Sequence, residues 1–412
     1  MGERRGRPRG ALAARDQRLP CFDGLRAIAA LCVVGVHTSF VSGFTTRHSV
    51  LGAYSARLEI GVAVFFVISG FLLYRPFALA HFGQRPNPAT GPFLRRRFLR
   101  IVPAYWTAFI VITYVLHADT VVPGWASVPV YLGFAQIYLP SHILTGMTQA
   151  WSLCTELSFY LFIPLWARLV GGGRTLAAQA RIELVGLGCL VAESLTFRAV
   201  ALEDNGPWAR TMTNWLPAYI DLFALGMLLA VAAAWISARG VAPAWTSHPS
   251  MPALSWAAAA VCFVAVSNLA LNRLPIYTPT VANSLLRQGL YGLFGVFLVL
   301  PAVLGPQHAG VVRRFLQLRV MALLGAISYG IYLWHEAWIM EFLRWSHDRL
   351  FSFPWWELAP IVTVLAIASA GVSYLVVERP AQRLRPRLRL RRPAPAGAEP
   401  APAELLALGV ER

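Results

Sequence analysis

The sequence predicts an all-α, polytopic membrane protein of about ten transmembrane helices with both termini in the cytoplasm. Three observations predict it. Of 412 residues, 57% are hydrophobic and only 13% charged, where soluble domains carry about 25% charged residues. The mean hydropathy is +0.55. The apolar residues also gather into runs of about 20, the length that crosses a bilayer.

In chain order, residues 1–20 hold six arginines and two prolines and no apolar periodicity, which predicts a disordered, basic cytoplasmic arm. A basic arm before an apolar run resembles a signal peptide. This run is long, contains Arg26 and has no A-x-A site, so it reads as an uncleaved first span. Ten spans are expected near 24–43, 58–80, 99–117, 152–170, 182–201, 214–236, 251–271, 283–304, 320–342 and 358–377, within a membrane domain over 21–384. The apolar piece 126–139 is short and flanked by Pro123 and Pro140 with Pro129 inside, so it is expected to be interfacial or re-entrant. Residues 385–412 are basic and then Pro/Ala-rich, a disordered cytoplasmic tail whose arginines suit anionic lipid headgroups.

Arginine supports this topology. All 36 basic residues are arginines, and 24 fall in the segments placed inside against six in those placed outside. An eleventh span at 126–139 would put the basic tail outside, against the positive-inside rule. The same rule accounts for the net charge of +17, so nucleic acid is not an expected partner; membrane lipids are. The five cysteines have no CxxC spacing and no two histidines form an H-x3-H pair within a span, so no metal site is expected.

Four groups of polar residues inside the spans are candidates for chemistry. In FDGLRAIAALCVVGVH, residues 22–37, Arg26 and His37 are eleven residues apart. They share one helix face about 16 Å apart, and burying each costs kilocalories. A lone membrane histidine can also serve an interhelical hydrogen bond. In WSLCTELSFY, residues 151–160, Trp151 suits the outer interface. Glu156 then shares a face with Ser152 and Tyr160, about 7 Å deep, at a depth from which it could orient an imidazole. Arg97 and Arg100, at i, i+3 in RRRFLRIVPAYW, either anchor the topology or converge on a phosphate. Tyr332 and His335 lie near one another in LLGAISYGIYLWHEAW, with His335 near the depth of His37. Ser69 and Asp221 are further polar positions, where helix packing is the plainer use.

These motifs, with FFVISGFLL, DLFALGMLLA and ISYGIYLWH in this order, resemble the membrane-bound acyltransferase 3 family over roughly residues 20–384. The resemblance implies ten membrane helices. It also implies transfer of an acyl group, commonly acetyl, from acyl-CoA to a hydroxyl of a carbohydrate, a glycolipid or a glycosylated metabolite. Some members carry a C-terminal SGNH hydrolase-like domain; none is expected in these 412 residues. By the resemblance His37 is the catalytic histidine, Arg26 its paired arginine, and Arg97 and Arg100 the family's R-x-x-R. The expected donor is acyl-CoA, as a substrate and not a tightly bound cofactor, and the expected location is the bacterial plasma membrane. The competing class is a transporter or flippase that uses the intramembrane charges as a path.

Overall fold

The computed structural model describes residues 19–384 except 119–121, 144, 205, 270–272, 274–278, 308 and 347–349. The expected basic arm, apart from its last two residues, and the tail lie outside the described residues. Among the described residues there are ten long helices: α1 (Cys21–Val41), α2 (Leu51–His81), α3 (Thr90–Val115), α4 (Thr148–Val170), α5 (Leu176–Glu203), α6 (Leu216–Arg239), α7 (Met251–Asn268), α8 (Val281–Val303), α9 (Arg319–Ser346) and α10 (Trp355–Arg383). Among the described residues, nine are long and apolar enough to cross a membrane. The ninth in order, α9, is long but falls outside that group; Ser328, Tyr332, His335, Glu336 and Glu341 all lie within it. The chain is thus an all-α polytopic membrane protein. Its lipid-type surface is visible on α4, where Leu161, Leu165 and Leu169 recur every four residues and are all exposed.

The segment 126–139 does not span. It breaks into two single turns around a short helix, Val128–Leu132. Its backbone carbonyls are taken up by neighbouring side chains: Tyr105 donates to Tyr131 O at 3.1 Å, Trp106 to Leu132 O at 2.9 Å and Trp215 to Ile137 O at 2.8 Å. Irregular backbone of this kind needs such partners wherever water is scarce.

α2 is the central helix and packs on α1, α4, α6 and α8. Its crossing with α6 is set by two glycines. A Cβ on Gly70 would stand 2.1 Å from Phe223 O, and one on Gly226 would stand 2.1 Å from Val67 O. Backbones meet this closely only where neither residue has a side chain. Beside the crossing, Phe223 stacks between Phe66 and Phe159, with ring centroids 4.5 and 4.0 Å away. On the other side of the molecule α1 and α9 run parallel. A Cβ on Gly325 would meet Asp23 O at 2.0 Å, and further along the same pair His37 meets His335.

Candidate active site

Two features make up the site, and α9 joins them. The first is a pair of imidazoles. His37 Nδ1 lies 2.7 Å from His335 Nε2, with ring centroids 5.0 Å apart and planes 11° from parallel. A nitrogen contact this short between nearly coplanar rings is an in-plane hydrogen bond. Its direction follows from the far side of His335. There Nδ1 lies 2.8 Å from Tyr332 O, and a carbonyl can only accept. His335 Nδ1 therefore carries hydrogen, neutral His335 accepts at Nε2, and His37 donates from Nδ1. His37 Nε2 is left with its lone pair. His335 is fully buried, while the His37 side chain is 34% exposed. Glu336 Oε1 stands 3.3 Å from His37 Nδ1, and Thr148 at the start of α4 donates to Glu336 Oε2 at 2.5 Å.

The three ligand atoms of His37, His335 and Glu336 all lie within 4.8 Å of one another, close enough to surround an ion. At 2.7 Å the nitrogens are closer than two donors about 2.0–2.1 Å from one tetrahedral zinc would stand, so the arrangement is that of a hydrogen bond.

The second feature is a cavity of about 70 Å³ between α1, α2, α3, α4 and α9. Arg26, Arg97 and Arg100 line it, facing one carboxylate, Glu156. Ser69 Oγ donates to Glu156 Oε1 at 2.6 Å and Tyr160 OH donates to the same oxygen at 2.9 Å. Three guanidinium groups against one carboxylate leave the cavity net positive, which suits a phosphate or a developing oxyanion. Tyr332 closes one end. Its hydroxyl donates to Gln149 O at 2.7 Å and lies 2.7 Å from Ser152 Oγ, while its carbonyl holds His335.

Most of the candidate residues converge here. Arg26, Ser69, Arg97, Arg100, Ser152, Glu156, Tyr160 and Tyr332 line the cavity, and His37 and His335 form the adjoining pair. One sequence expectation changes. Glu156 sits with the arginines, bonded to Ser69 and Tyr160, and the carboxylate beside His37 is Glu336. Depth along a helix says nothing about azimuth, and the Glu156 face of α4 turns toward α2, where Ser69 donates to it. Asp221 is 4% exposed and accepts hydrogen bonds from Ser194 at 3.0 Å and Gln288 at 2.8 Å, tying α6 to α5 and α8 away from the cavity. Trp151 packs on Tyr219 and Phe66 at the head of α4, outside the cavity lining. Glu336 escaped the sequence reading. The signal was an acid within an apolar run, directly after a candidate histidine in LWHEAW.

The family's sequence profile, described as an acyltransferase domain, matches residues 19–378. The chain belongs to the membrane acyltransferase 3 family. It is an acyltransferase and a multi-pass membrane protein, and its bacterial relatives agree with a plasma-membrane location. It is similar to acyltransferase MdmB of Streptomyces mycarofaciens, 26% identical over 406 residues, covering 95% of this chain and 97% of the relative. It is also similar to exopolysaccharide production protein ExoZ of Rhizobium meliloti, 28% identical, covering 82% of this chain and 92% of the relative. Peptidoglycan O-acetyltransferase OatA of Listeria monocytogenes is 25% identical over 77% of this chain, which spans 49% of that relative's length. No solved structure matches.

Proposed function

We propose that this acyltransferase moves an acetyl or other short acyl group from cytoplasmic acyl-CoA to a hydroxyl of a carbohydrate, glycolipid or glycosylated metabolite at the extracytoplasmic face. The observation that carries the reading is the direction of the imidazole hydrogen bond, which leaves His37 Nε2 as a lone-pair nitrogen on an accessible side chain. The relatives supply the acceptor class: one is an exopolysaccharide production protein and another a peptidoglycan O-acetyltransferase.

In this scheme the acceptor hydroxyl loses its proton to His37 Nε2 as its oxygen attacks the thioester carbonyl. The resulting imidazolium is stabilised by His335 Nε2 and by Glu336, both within reach of His37 Nδ1. Arg26, about 16 Å along α1 from His37, lines the donor cavity with Arg97 and Arg100, and the three hold the donor's phosphates. Collapse expels the CoA thiolate, which takes the proton back from His37. One ester forms, one thioester breaks, and no metal or redox cofactor enters the balance.

The direct test is a purified protein supplied with labelled acetyl-CoA and a panel of glycans. One acetyl ester is expected per CoA thiol released. Movement of unmodified substrate across a vesicle wall, with no thiol released, would overturn the reading in favour of a transporter. Within the scheme, Glu336→Gln keeps the shape but removes the charge beside His37. It should lower kcat about 10- to 100-fold through the weaker imidazolium, with KM for acetyl-CoA unchanged, because Glu336 does not line the arginine cavity. A raised KM with normal kcat would show that Glu336 acts on the donor instead.

A further inference from the structure

We propose that a second cavity, directly below the arginine-lined one, holds the adenine-nucleotide end of the donor. This rests on the reading that the donor is an acyl-CoA. The cavity measures about 220 Å³ and is lined by Phe77, Thr90, Pro164, Arg168 and residues 87–89 of the connection before α3.

Its position follows from helix spacing. On α2 the first cavity reaches Leu73 and the second takes Phe77, one turn on. On α4 the first takes Tyr160 and the second Pro164 and Arg168, at i+4 and i+8. On α3, which runs the other way, the first takes Arg97 and the second Thr90, seven residues earlier. All three helices carry the two cavities in the same order along their lengths. The offset is about 6–12 Å at 1.5 Å per residue. A single extended ligand can therefore lie across both, with its phosphates at Arg97 and Arg100 and its far end beside Arg168.

The lining chemistry fits a purine nucleotide. Phe77 and Pro164 give an apolar wall for the flat face of a base. The Asn87 side chain offers both an amide donor and a carbonyl acceptor for the base edge. One Arg168 nitrogen donates to Thr90 Oγ1 at 3.2 Å, which steadies the guanidinium at the cavity rim. The remaining N–H groups of that planar fork are suited to a phosphate on the ribose. The upper cavity brings three guanidinium groups around Glu156, which suits phosphates, while the lower one offers a single cation beside an apolar wall.

The experiment compares two donors in purified protein: acetyl-CoA, and acetyl-phosphopantetheine, which keeps a phosphate but lacks the nucleotide. Arg168→Ala should raise KM for acetyl-CoA about tenfold and leave acetyl-phosphopantetheine kinetics as in wild type. Adenosine 3′,5′-bisphosphate should inhibit wild type competitively against acetyl-CoA and lose about tenfold in potency with Arg168→Ala. Arg168 is exposed, so the variant should fold; a thermal shift on adding the bisphosphate, present in wild type and absent in the variant, gives a readout independent of turnover. Equal loss with both donors, or unchanged inhibition by the bisphosphate, would overturn the assignment. A wild-type protein that turns over neither thioester would instead remove the acyl-CoA reading, and this assignment with it.

Discussion

Replacing His37 by alanine is expected to lower acyl transfer by about 10³-fold or more while the helix bundle stays assembled. General-base catalysis alone supplies about 10²- to 10⁴-fold, and the neighbouring lone-pair nitrogen, His335 Nε2, belongs to a fully buried side chain. The structural cost is small because the side chain is a third exposed and alanine is a good helix former. His335 Nε2 loses its donor, but water can replace it from the exposed side. Thiol release from acetyl-CoA measures the loss, and size-exclusion profile with thermal unfolding in detergent measures integrity. Activity within tenfold of wild type in a folded variant would move the base elsewhere. His335→Gln should show an intermediate loss, because Gln can still accept from His37 but cannot fix the tautomer through Tyr332 O.

The second large effect concerns assembly. Gly226→Val is expected to strip the protein from the membrane. The first atom its Cβ meets is a backbone carbonyl oxygen on α2, Val67 O at 2.1 Å, and Gly70 makes the reciprocal approach to Phe223 O. A backbone atom cannot swing aside as a side-chain tip can. The two helices would have to part by more than about 1 Å, which pulls open the Phe66–Phe223–Phe159 stack next to them. Overpacking of this kind costs about 3 kcal/mol or more. Gly289→Ala is the control, since nothing lies within 4 Å of a Cβ there. Yield and melting temperature in detergent decide the matter. A Gly226→Val protein that accumulates and melts like wild type would show that this crossing is not the close one described.

How much of this could be read beforehand depends on which physical quantity each feature needs. Arg26 and His37 lie on one apolar helix, so the helical period alone related them. Their separation along α1 is what lets one reach the arginine cavity while the other meets α9. Length and apolarity gave the long helices, and the prolines around 126–139 gave the broken segment. Contacts between helices were another matter. Glu156 and Glu336 are both acids within long helices, and only the packing of α2 and α9 against their neighbours decides which carboxylate meets His37. Asp221 shows the same limit: an intramembrane acid signals that partners exist, but Ser194 and Gln288 lie on other helices and had to be found in three dimensions.

Tyr332 has a bearing on the cell's energy supply. A membrane protein that holds charged groups among its helices must not short-circuit the ion gradients stored across the bilayer. The ring of Tyr332, locked by Gln149 and Ser152, stands between the charged cavity and the imidazole pair like a diaphragm. Its two hydrogen bonds tie α9 to the head of α4, which keeps the guanidinium groups and the imidazoles in separate compartments.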